Sequence, residues 1–217
     1  MLTQFTDLEK MLETRTCRKK LVLAAAQDSY ALDAVAKATA KGFIEPVLVG
    51  NSKLIEQFAD ELHFNLNDYQ IIDEPDILRS VEIAVRYIHD GFGDILMKGA
   101  CSTAQMLKGI LNREWGLRKG DLLSHIALFE IPAYHKLLGL TDAAINIAPD
   151  LKAKAAIIDN ATDFLHRLGI PCPKIAALAS IETVNEQMQA TVDAADLARM
   201  NREHLIKDCI VEGPMAL

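Results

Sequence analysis

The fold is decided by residues 21–49, which read LVLAAAQDSYALDAVAKATAKGFIEPVLV. Short apolar runs at Leu21–Ala25 and Pro46–Val49 are typical of buried strands. The segment between them, Tyr30–Lys41, is helical in pattern and is followed by Gly42, a residue that commonly ends helices. A strand, a helix and a second strand in this order form the repeating unit of a parallel sheet. We therefore predict an α/β fold.

The alternation of strands and helices continues to about residue 115. Strands are predicted at Gln70–Ile72 and Ile95–Met97, and helices at Ser52–Leu62, from about Pro75 to Asp90, and at Ser102–Trp115. Pro75 is placed in the first turn of its helix, because the N–H that proline lacks has no intrahelical partner there. Leu2, Phe5, Leu8 and Leu12 recur at helical spacing and predict an amphipathic helix at the start. This order favours a parallel or mostly parallel sheet with helices on both faces.

The pattern changes after Arg118, which suggests a second domain. A long strand over Leu122–Ile131 and a returning strand over Leu137–Thr141 predict a hairpin. The remaining predicted elements are a helix at Asp150–Leu168, a strand at Lys174–Ala179, a helix at Ala194–His204 and a strand at Cys209–Val211. We expect two α/β domains, residues 1–120 and 121–217, without a flexible linker.

Composition excludes several classes of protein. The 217 residues are 50% apolar and 24% charged, as in ordinary globular proteins. No apolar run has the roughly 18–20 residues of a membrane span. A net charge of −7 without a clustered basic patch disfavours nonspecific nucleic-acid binding, although a small anionic substrate needs only a local pocket. The four cysteines are scattered and the first residues, MLTQFTDLEK, are unlike a secretory signal, so we expect a cytoplasmic protein.

The segment Asp94–Lys108 carries the clearest sign of chemistry. An apolar strand runs into Gly99, and Ser102 or Thr103 then begins a helix. Free N–H groups and the positive end of the dipole at such a helix start can hold phosphate, and Lys98 would add charge. An ordinary turn with a serine cap explains the same residues. The sequence contains no Walker loop, GxGxxG, GxSxG or HExxH pattern, and we predict neither a metal nor a resident cofactor.

Further candidates have a functional and a structural interpretation each. Glu182 and Asn185 follow a predicted strand, where ligand-binding loops of α/β sheets collect, but they could equally cap a loop. Arg118 is a cation in a glycine-flanked turn, either for binding or simply solvated. His125 lies in an apolar strand, and we interpret it as a core histidine in preference to a catalytic residue or a ligand.

Several segments in order resemble the phosphate acetyl/butyryltransferase family, most closely its butyryltransferase branch. These segments are MKGACST (97–103), GLR (116–118), LSHIALFEIP (123–132), LTDAAINIAPD (140–150), ETVN (182–185), ATVDAA (190–195) and CIVEGPMAL (209–217). The resemblance runs from about residue 90 to the last residue, and the first 90 residues fit only loosely. Each motif is short, so the specificity lies in the ordered set.

The resemblance implies transfer of a short acyl group, butyryl or similar, between coenzyme A and inorganic phosphate. It also implies two α/β domains of isocitrate dehydrogenase-like architecture with the active site in the cleft between them. Ser102, Thr103 and Arg118 match positions at the phosphate or CoA side, with Lys98, Gly99, Glu182 and Asn185 completing the expected substrate-binding set. Acyl-CoA would be a substrate in place of a cofactor, and a homodimer or larger homo-oligomer is expected. The acetyltransferase branch usually has arginine at the position of Lys108, and lysine lacks the bidentate fork.

One departure from the family pattern concerns the end of the chain. The family's catalytic Ser, Arg and Asp positions lie beyond residue 217, so no catalytic residue is assigned and the C-terminal part of the fold is expected to be missing. We expect residues 210–217 to be covered by a partner chain or by a separate polypeptide, and the isolated chain to have negligible activity. The alternatives are an inactive truncated form, a non-catalytic CoA- or phosphate-binding module, and a structural or regulatory protein.

Overall fold

The structure is a computed structural model that describes residues 2–14, 17–120 and 122–216. It has a mixed α/β fold with parallel strands, which confirms the predicted class. The chain divides into two compact units. The N-terminal unit spans Thr6–Lys119, and the C-terminal unit holds the residues after Lys119 together with those before Thr6. None of the helices in the described ranges combines the length and apolar character needed to cross a membrane.

The N-terminal unit is built on one parallel sheet. Its strands are β1 (Lys19–Ala24), β2 (Ile44–Gly50), β3 (Gln70–Asp73) and β4 (Ile95–Lys98). Its helices, after α1 (Phe5–Glu13) at the start of the chain, are α2 (Ser29–Ala40), α3 (Ser52–Glu61), α4 (Ile77–His89) and α5 (Thr103–Ile110). The sheet order is β3-β2-β1-β4, and all three strand pairs are parallel. The predicted parallel sheet is therefore confirmed.

Helices cover both faces of this sheet, as predicted. Successive side chains of a strand point to opposite faces, so each strand contributes to two cores. Val22 and Val49 pack with residues of α4 and α5 on one face. Leu23 and Leu48 pack with residues of α2 and α3 on the other. Because β1 and β2 are buried on both faces, they read as continuous apolar runs, and this explains why they were visible in the sequence.

In the N-terminal unit the helix boundaries follow local signals, with two corrections to the predictions. Asp76 caps α4 by accepting a hydrogen bond from the Arg79 N–H, so Pro75 lies before the cap and not in the first turn. Helix α5 ends at Ile110 and does not reach Trp115. The carboxamide oxygen of Asn112 accepts from the Glu114 and Trp115 N–H groups, and this side-chain turn replaces further helix.

The C-terminal unit combines a hairpin with a second parallel strand pair. Its elements are β5 (Ala127–Phe129), β6 (Leu138–Leu140), α6 (Leu151–Arg167), β7 (Lys174–Leu178), α7 (Gln189–Arg202) and β8 (Ile210–Met215). β5 and β6 pair antiparallel, which confirms the predicted hairpin, and β7 pairs parallel with β8. A core of α6, α7 and β8 residues includes Ile158, Leu197 and Val211. Helix α7 begins at Gln189, before the predicted Ala194, and β8 extends beyond the predicted Val211.

The predicted long strand Leu122–Ile131 is wrong over most of its length. Only Ala127–Phe129 is strand. The backbone of residues 122–126 bonds to side chains where a neighbouring strand would otherwise pair. The Asn146 Nδ2 group donates to the Leu123 carbonyl (3.0 Å), and the Thr141 hydroxyl donates to the His125 carbonyl (2.6 Å). Side-chain partners of this kind satisfy the backbone without a ladder.

Candidate functional site

The strand order of the N-terminal unit creates a topological switch point. Strand β1 has β2 on one side and β4 on the other, and the connections that leave β1 and β4 enter helices on opposite faces of the sheet. In open parallel sheets, ligands bind in the crevice outside the carboxyl ends of the two strands where the order reverses. The predicted turn at residues 99–103 follows β4 directly and therefore lies at this position.

The turn after β4 is hydrogen-bonded to the backbone at the end of β1. The Gly99 N–H donates to the Ala24 carbonyl (2.9 Å), and the Ala100 N–H donates to the Ala25 carbonyl (2.7 Å). A Cβ atom at residue 99 would lie 2.3 Å from the Ala25 oxygen. Glycine is required here because the two backbones approach too closely for any side chain.

Helix α5 begins with a capping box that leaves two N–H groups available. The Ser102 hydroxyl accepts from the Gln105 N–H, and the Gln105 side chain accepts from the Ser102 N–H. The N–H groups of Thr103 and Ala104 are in the first turn, where a helix offers no acceptor, and no other described residue provides one. Ser102 and Thr103 are exposed. The start of α5 can therefore donate to an anion from backbone and hydroxyl groups.

Lys98 and Cys101 set the electrostatics of this turn. The Lys98 ammonium donates to the carbonyls of Gly99 (3.3 Å) and Cys101 (2.8 Å), so the charge lies over the turn. Burial raises the pKa of the Cys101 thiol, and the nearby Lys98 charge only partly opposes this. The turn thus carries one positive charge, and its thiol stays neutral at neutral pH.

Arg118 lies on the loop after α5, in the same unit. The preceding residue, Leu117, is anchored by a backbone bond to the Ile110 carbonyl (2.8 Å) and packs into the core. A Cβ at Gly116 would lie 2.3 Å from the Asn112 oxygen, so this loop also depends on a glycine. Arg118 itself is exposed, and within residues 2–14, 17–120 and 122–216 no hydrogen-bond or ion-pair partner occupies its guanidinium.

Glu182 and Asn185 belong to the C-terminal unit, on the loop between β7 and α7. Both residues are exposed. The Asn185 side-chain oxygen accepts from the Gln187 N–H (2.9 Å), and the buried Thr191 hydroxyl bonds the Asn185 backbone N–H and carbonyl (2.9 and 3.0 Å). Asn185 thus has a structural role in the loop, while its side-chain amide group remains able to donate.

A half-buried carboxylate at Asp142 organises the region around His125, a role that the sequence did not predict. Its oxygens accept from the N–H groups of Ala144 (2.9 Å) and Ile145 (3.0 Å) and from the Asn146 amide (2.5 Å). Burial alone would raise the pKa of Asp142, but these bonds and one from the His125 backbone lower it to about 2. The only available signal was the Asp-x-x-x-Asn spacing in residues 142–146.

His125 has both backbone groups bonded through this network, yet its ring Nδ1 is buried and finds no partner among the described side chains. No carboxylate bonds its ring in the part of the chain that the structure describes. The interpretation as a core histidine stays a prediction.

Comparisons with known proteins identify the family. The family model "Phosphate acetyl/butaryl transferase" matches residues 76–217. This chain belongs to that family. The phosphate butyryltransferase of Clostridium beijerinckii is 41% identical over 210 residues, which cover 97% of this chain and 69% of that protein. The phosphate butyryltransferase of Clostridium acetobutylicum is 37% identical over 217 residues, which cover 100% of this chain and 72% of that protein.

The solved structure of a phosphotransacylase is also similar to the structure of this chain. A branched-chain phosphotransacylase from Enterococcus faecalis superposes with a TM-score of 0.78 at 28% identity, over 91% of this chain and 68% of that chain. The family match covers all seven predicted substrate-binding residues, from Lys98 to Asn185. Among the described residues, no group of three or more His, Cys, Asp or Glu side chains is arranged to hold a metal ion.

Replacing Ser102 by alanine tests whether the capping serine of this acyltransferase-family turn also binds an anion. Loss of the cap should lower the free energy of unfolding by about 1 kcal/mol, since N-cap substitutions cost roughly 0.5–2 kcal/mol. Asp76→Ala removes a comparable cap from α4 and serves as the control. Denaturant unfolding and phosphate titration should show similar destabilisation in both variants but weaker phosphate binding only in Ser102→Ala. Equal phosphate affinity in the two variants would leave Ser102 with the capping role alone.

Proposed function

We propose that this chain is a phosphate acyltransferase that moves a short acyl group, butyryl or similar, between coenzyme A and inorganic phosphate. The observation that carries the proposal is the 41% identity to a phosphate butyryltransferase over 97% of the chain. The anion-binding geometry at the start of α5 supports it, because both substrates are anionic. Acyl-CoA and phosphate are substrates in this proposal, and no metal or resident cofactor takes part.

The reaction requires stabilisation of negative charge on the attacking phosphate, on the carbonyl oxygen and on the leaving thiolate. A phosphate oxygen attacks the thioester carbonyl, the carbonyl oxygen becomes an oxyanion, and the carbon–sulfur bond then breaks. The acyl group leaves as acyl phosphate, and the CoA thiolate takes up the proton that the attacking hydrogen phosphate gives up and becomes the free thiol. Cations and N–H groups that are already oriented toward the developing charge lower this barrier, since they need no reorganisation.

The turn at residues 99–103 is the proposed phosphate site. The N–H groups of Thr103 and Ala104 donate to the anion along the α5 dipole. The Ser102 oxygen is already an acceptor for Gln105, so its O–H remains free to donate outward. Lys98 contributes charge while its ammonium stays bonded to the turn carbonyls, and Gly99 permits the close backbone approach.

The remaining predicted residues are proposed to contact other parts of the substrates. Arg118 is an exposed, unpaired guanidinium in the described structure and suits a phosphate of coenzyme A, which it can bind with two parallel N–H donors. In the C-terminal unit, Asn185 would donate from its side-chain amide, and Glu182 would accept from a substrate hydroxyl or amide. A cytoplasmic location fits the described free cysteines, and a homo-oligomer is also part of the proposal.

The function is tested by measuring CoA release from butyryl-CoA and phosphate by the 217-residue chain. Phosphate-dependent release, matched by formation of acyl phosphate, supports the proposal. CoA binding by calorimetry without release would indicate a binding module. Absence of both CoA and phosphate binding would contradict the proposal and favour a structural protein.

The Arg118→Ala variant should weaken CoA binding about tenfold, which corresponds to the loss of one charge-assisted contact. The free energy of unfolding should stay unchanged, because Arg118 is exposed and makes no described bond. Arg113→Ala, which removes another exposed arginine from the same loop, is the control and should bind CoA normally. Calorimetric titration with CoA checks both, and equal affinities in the two variants would remove Arg118 from the site.

A further inference from the structure

The buried hydroxyl of Ser80 connects α4 to the carboxyl ends of two strands. Ser80 is 0% exposed. Its hydroxyl donates to the Val49 carbonyl at the end of β2 (2.8 Å) and accepts from the Ala25 N–H just after β1 (2.8 Å). One side-chain oxygen therefore bonds both a donor and an acceptor, and without it the Ala25 N–H would be left without its partner, which is costly for a buried group.

The residue that Ser80 holds has an unusual backbone conformation. Ala25 has φ of +53°, in the left-handed region that residues with a side chain rarely adopt. The next N–H, that of Ala26, donates to the same Val49 carbonyl (2.9 Å). The backbone at residues 25–26 is thus fixed on both sides, by Ser80 and by β2. Such a conformation persists only when the surroundings determine it.

The position of Ala25 in turn determines the position of the proposed phosphate site. The parallel ladder between β1 and β4 ends at the pair Ala24 and Lys98. Beyond it, the Ala25 carbonyl accepts the Ala100 N–H at 2.7 Å, and Ser102 follows two residues later. A shift of the Ala25 peptide would therefore move the start of α5.

We infer that Ser80 is a positioning residue for the anion-binding turn at residues 99–103, an inference that rests on the proposed function. Ser80 touches no substrate. It holds Ala25 in the left-handed conformation, the Ala25 carbonyl holds Ala100, and the N–H groups of Thr103 and Ala104 are thereby oriented toward one anion. Binding of an anion by several donors depends on their mutual orientation, and Ser80 controls this from behind the site.

The experiment is an NMR titration of the full chain with inorganic phosphate, following the amide signals of Thr103 and Ala104. Ser80→Ala should raise the Kd for phosphate about tenfold. The Ala25 N–H loses its partner, the turn is released, and the N–H groups of Thr103 and Ala104 lose their common orientation. Amide exchange at Ala100 should also become faster, relative to the rest of the unit. Should Ser80→Ala fail to fold, Ser80→Cys is measured in the same way, since the thiol is a weaker hydrogen-bonding group of similar size.

The matched control is Thr39→Val, which also removes a buried hydroxyl from the N-terminal unit. Thr39 is 8% exposed, and its hydroxyl donates within α2 to the Val35 carbonyl (2.8 Å). Thr39→Val should lose stability but keep the phosphate Kd of the wild type, a result that separates positioning from general destabilisation. A folded Ser80 variant with the wild-type Kd overturns the inference about Ser80. A wild-type chain whose Thr103 and Ala104 signals ignore phosphate contradicts the proposed phosphate site itself.

Discussion

The Gly99→Ala variant is expected to lose about 3 kcal/mol of stability and to lose phosphate binding. The added Cβ would lie 2.3 Å from the Ala25 oxygen and 2.9 Å from the Ala24 oxygen, so backbone has to move. Overpacking against backbone costs at the upper end of the usual 1–3 kcal/mol, because no flexible side chain can give way. The movement separates Gly99 and Ala100 from the carbonyls that hold the turn. Unfolding in guanidinium chloride measures the loss of stability, and a phosphate titration measures the loss of binding.

The control for this prediction is Gly120→Ala. A Cβ at Gly120 meets no described atom within 4 Å, so the same chemical change should alter the free energy of unfolding by less than about 1 kcal/mol. The predicted contrast is then specific to the close approach at Gly99. A Gly99→Ala protein with wild-type stability would show that the turn adapts at no cost, contrary to the geometry.

The Asp142→Asn variant is expected to destabilise the C-terminal unit by about 2 kcal/mol at pH 7. The carboxylate accepts from two backbone N–H groups, of Ala144 and Ile145, and from the Asn146 amide. Hydrogen bonds to a charged acceptor contribute more than neutral ones, and an asparagine would turn an NH₂ group toward donors. The segment 122–126 depends on the same network through Asn146 and Thr141. Denaturant unfolding followed by a probe in this unit measures the loss.

The pH dependence of stability provides an independent check on Asp142. Its pKa of about 2 in the folded chain lies below the ordinary value of 3.8, so the ionised form favours folding. The stabilisation, about 2 kcal/mol, is fully present above about pH 4 and is lost as the pH falls toward 2. The difference in unfolding free energy between wild type and Asp142→Asn should therefore shrink over this range.

Asp163→Asn is the matched control for the Asp142 prediction. Asp163 forms an exposed ion pair with Arg167 one turn along α6 (2.9 Å). Exposed pairs of this kind contribute little, so the expected change is within about 0.5 kcal/mol. Equal effects of Asp142→Asn and Asp163→Asn at pH 7 would contradict the role assigned to the Asp142 network.

Much of the candidate site could be predicted because its signals are local. The strand before Gly99 and the capping serine at Ser102 are visible as an apolar run, a glycine and a polar residue at fixed spacing. The capping hydrogen bonds join Ser102 and Gln105, three positions apart, and the run of apolar residues is itself continuous, so the printed sequence shows both signals. The apparent strand at residues 122–126 failed for the opposite reason. An apolar run does not reveal whether a neighbouring strand exists, and here side chains from Asn146 and Thr141 take its place.

The sequence by itself determined the α/β class, the parallel strands, most helix boundaries and the position of the turn after β4. These features depend on periodicity, caps and turn residues, whose energies are set by near neighbours along the chain. Only the tertiary structure decided that the Ser80 hydroxyl bonds the Ala25 N–H, that Gly99 lies against the Ala25 carbonyl, and that the Asp142 carboxylate bonds the backbone around His125. Ser80 and Ala25 are 55 positions apart in the sequence, and Gly99 and Ala25 are 74 positions apart. Such pairings depend on how buried polar groups are satisfied once the elements have packed, and sequence spacing carries no information about that.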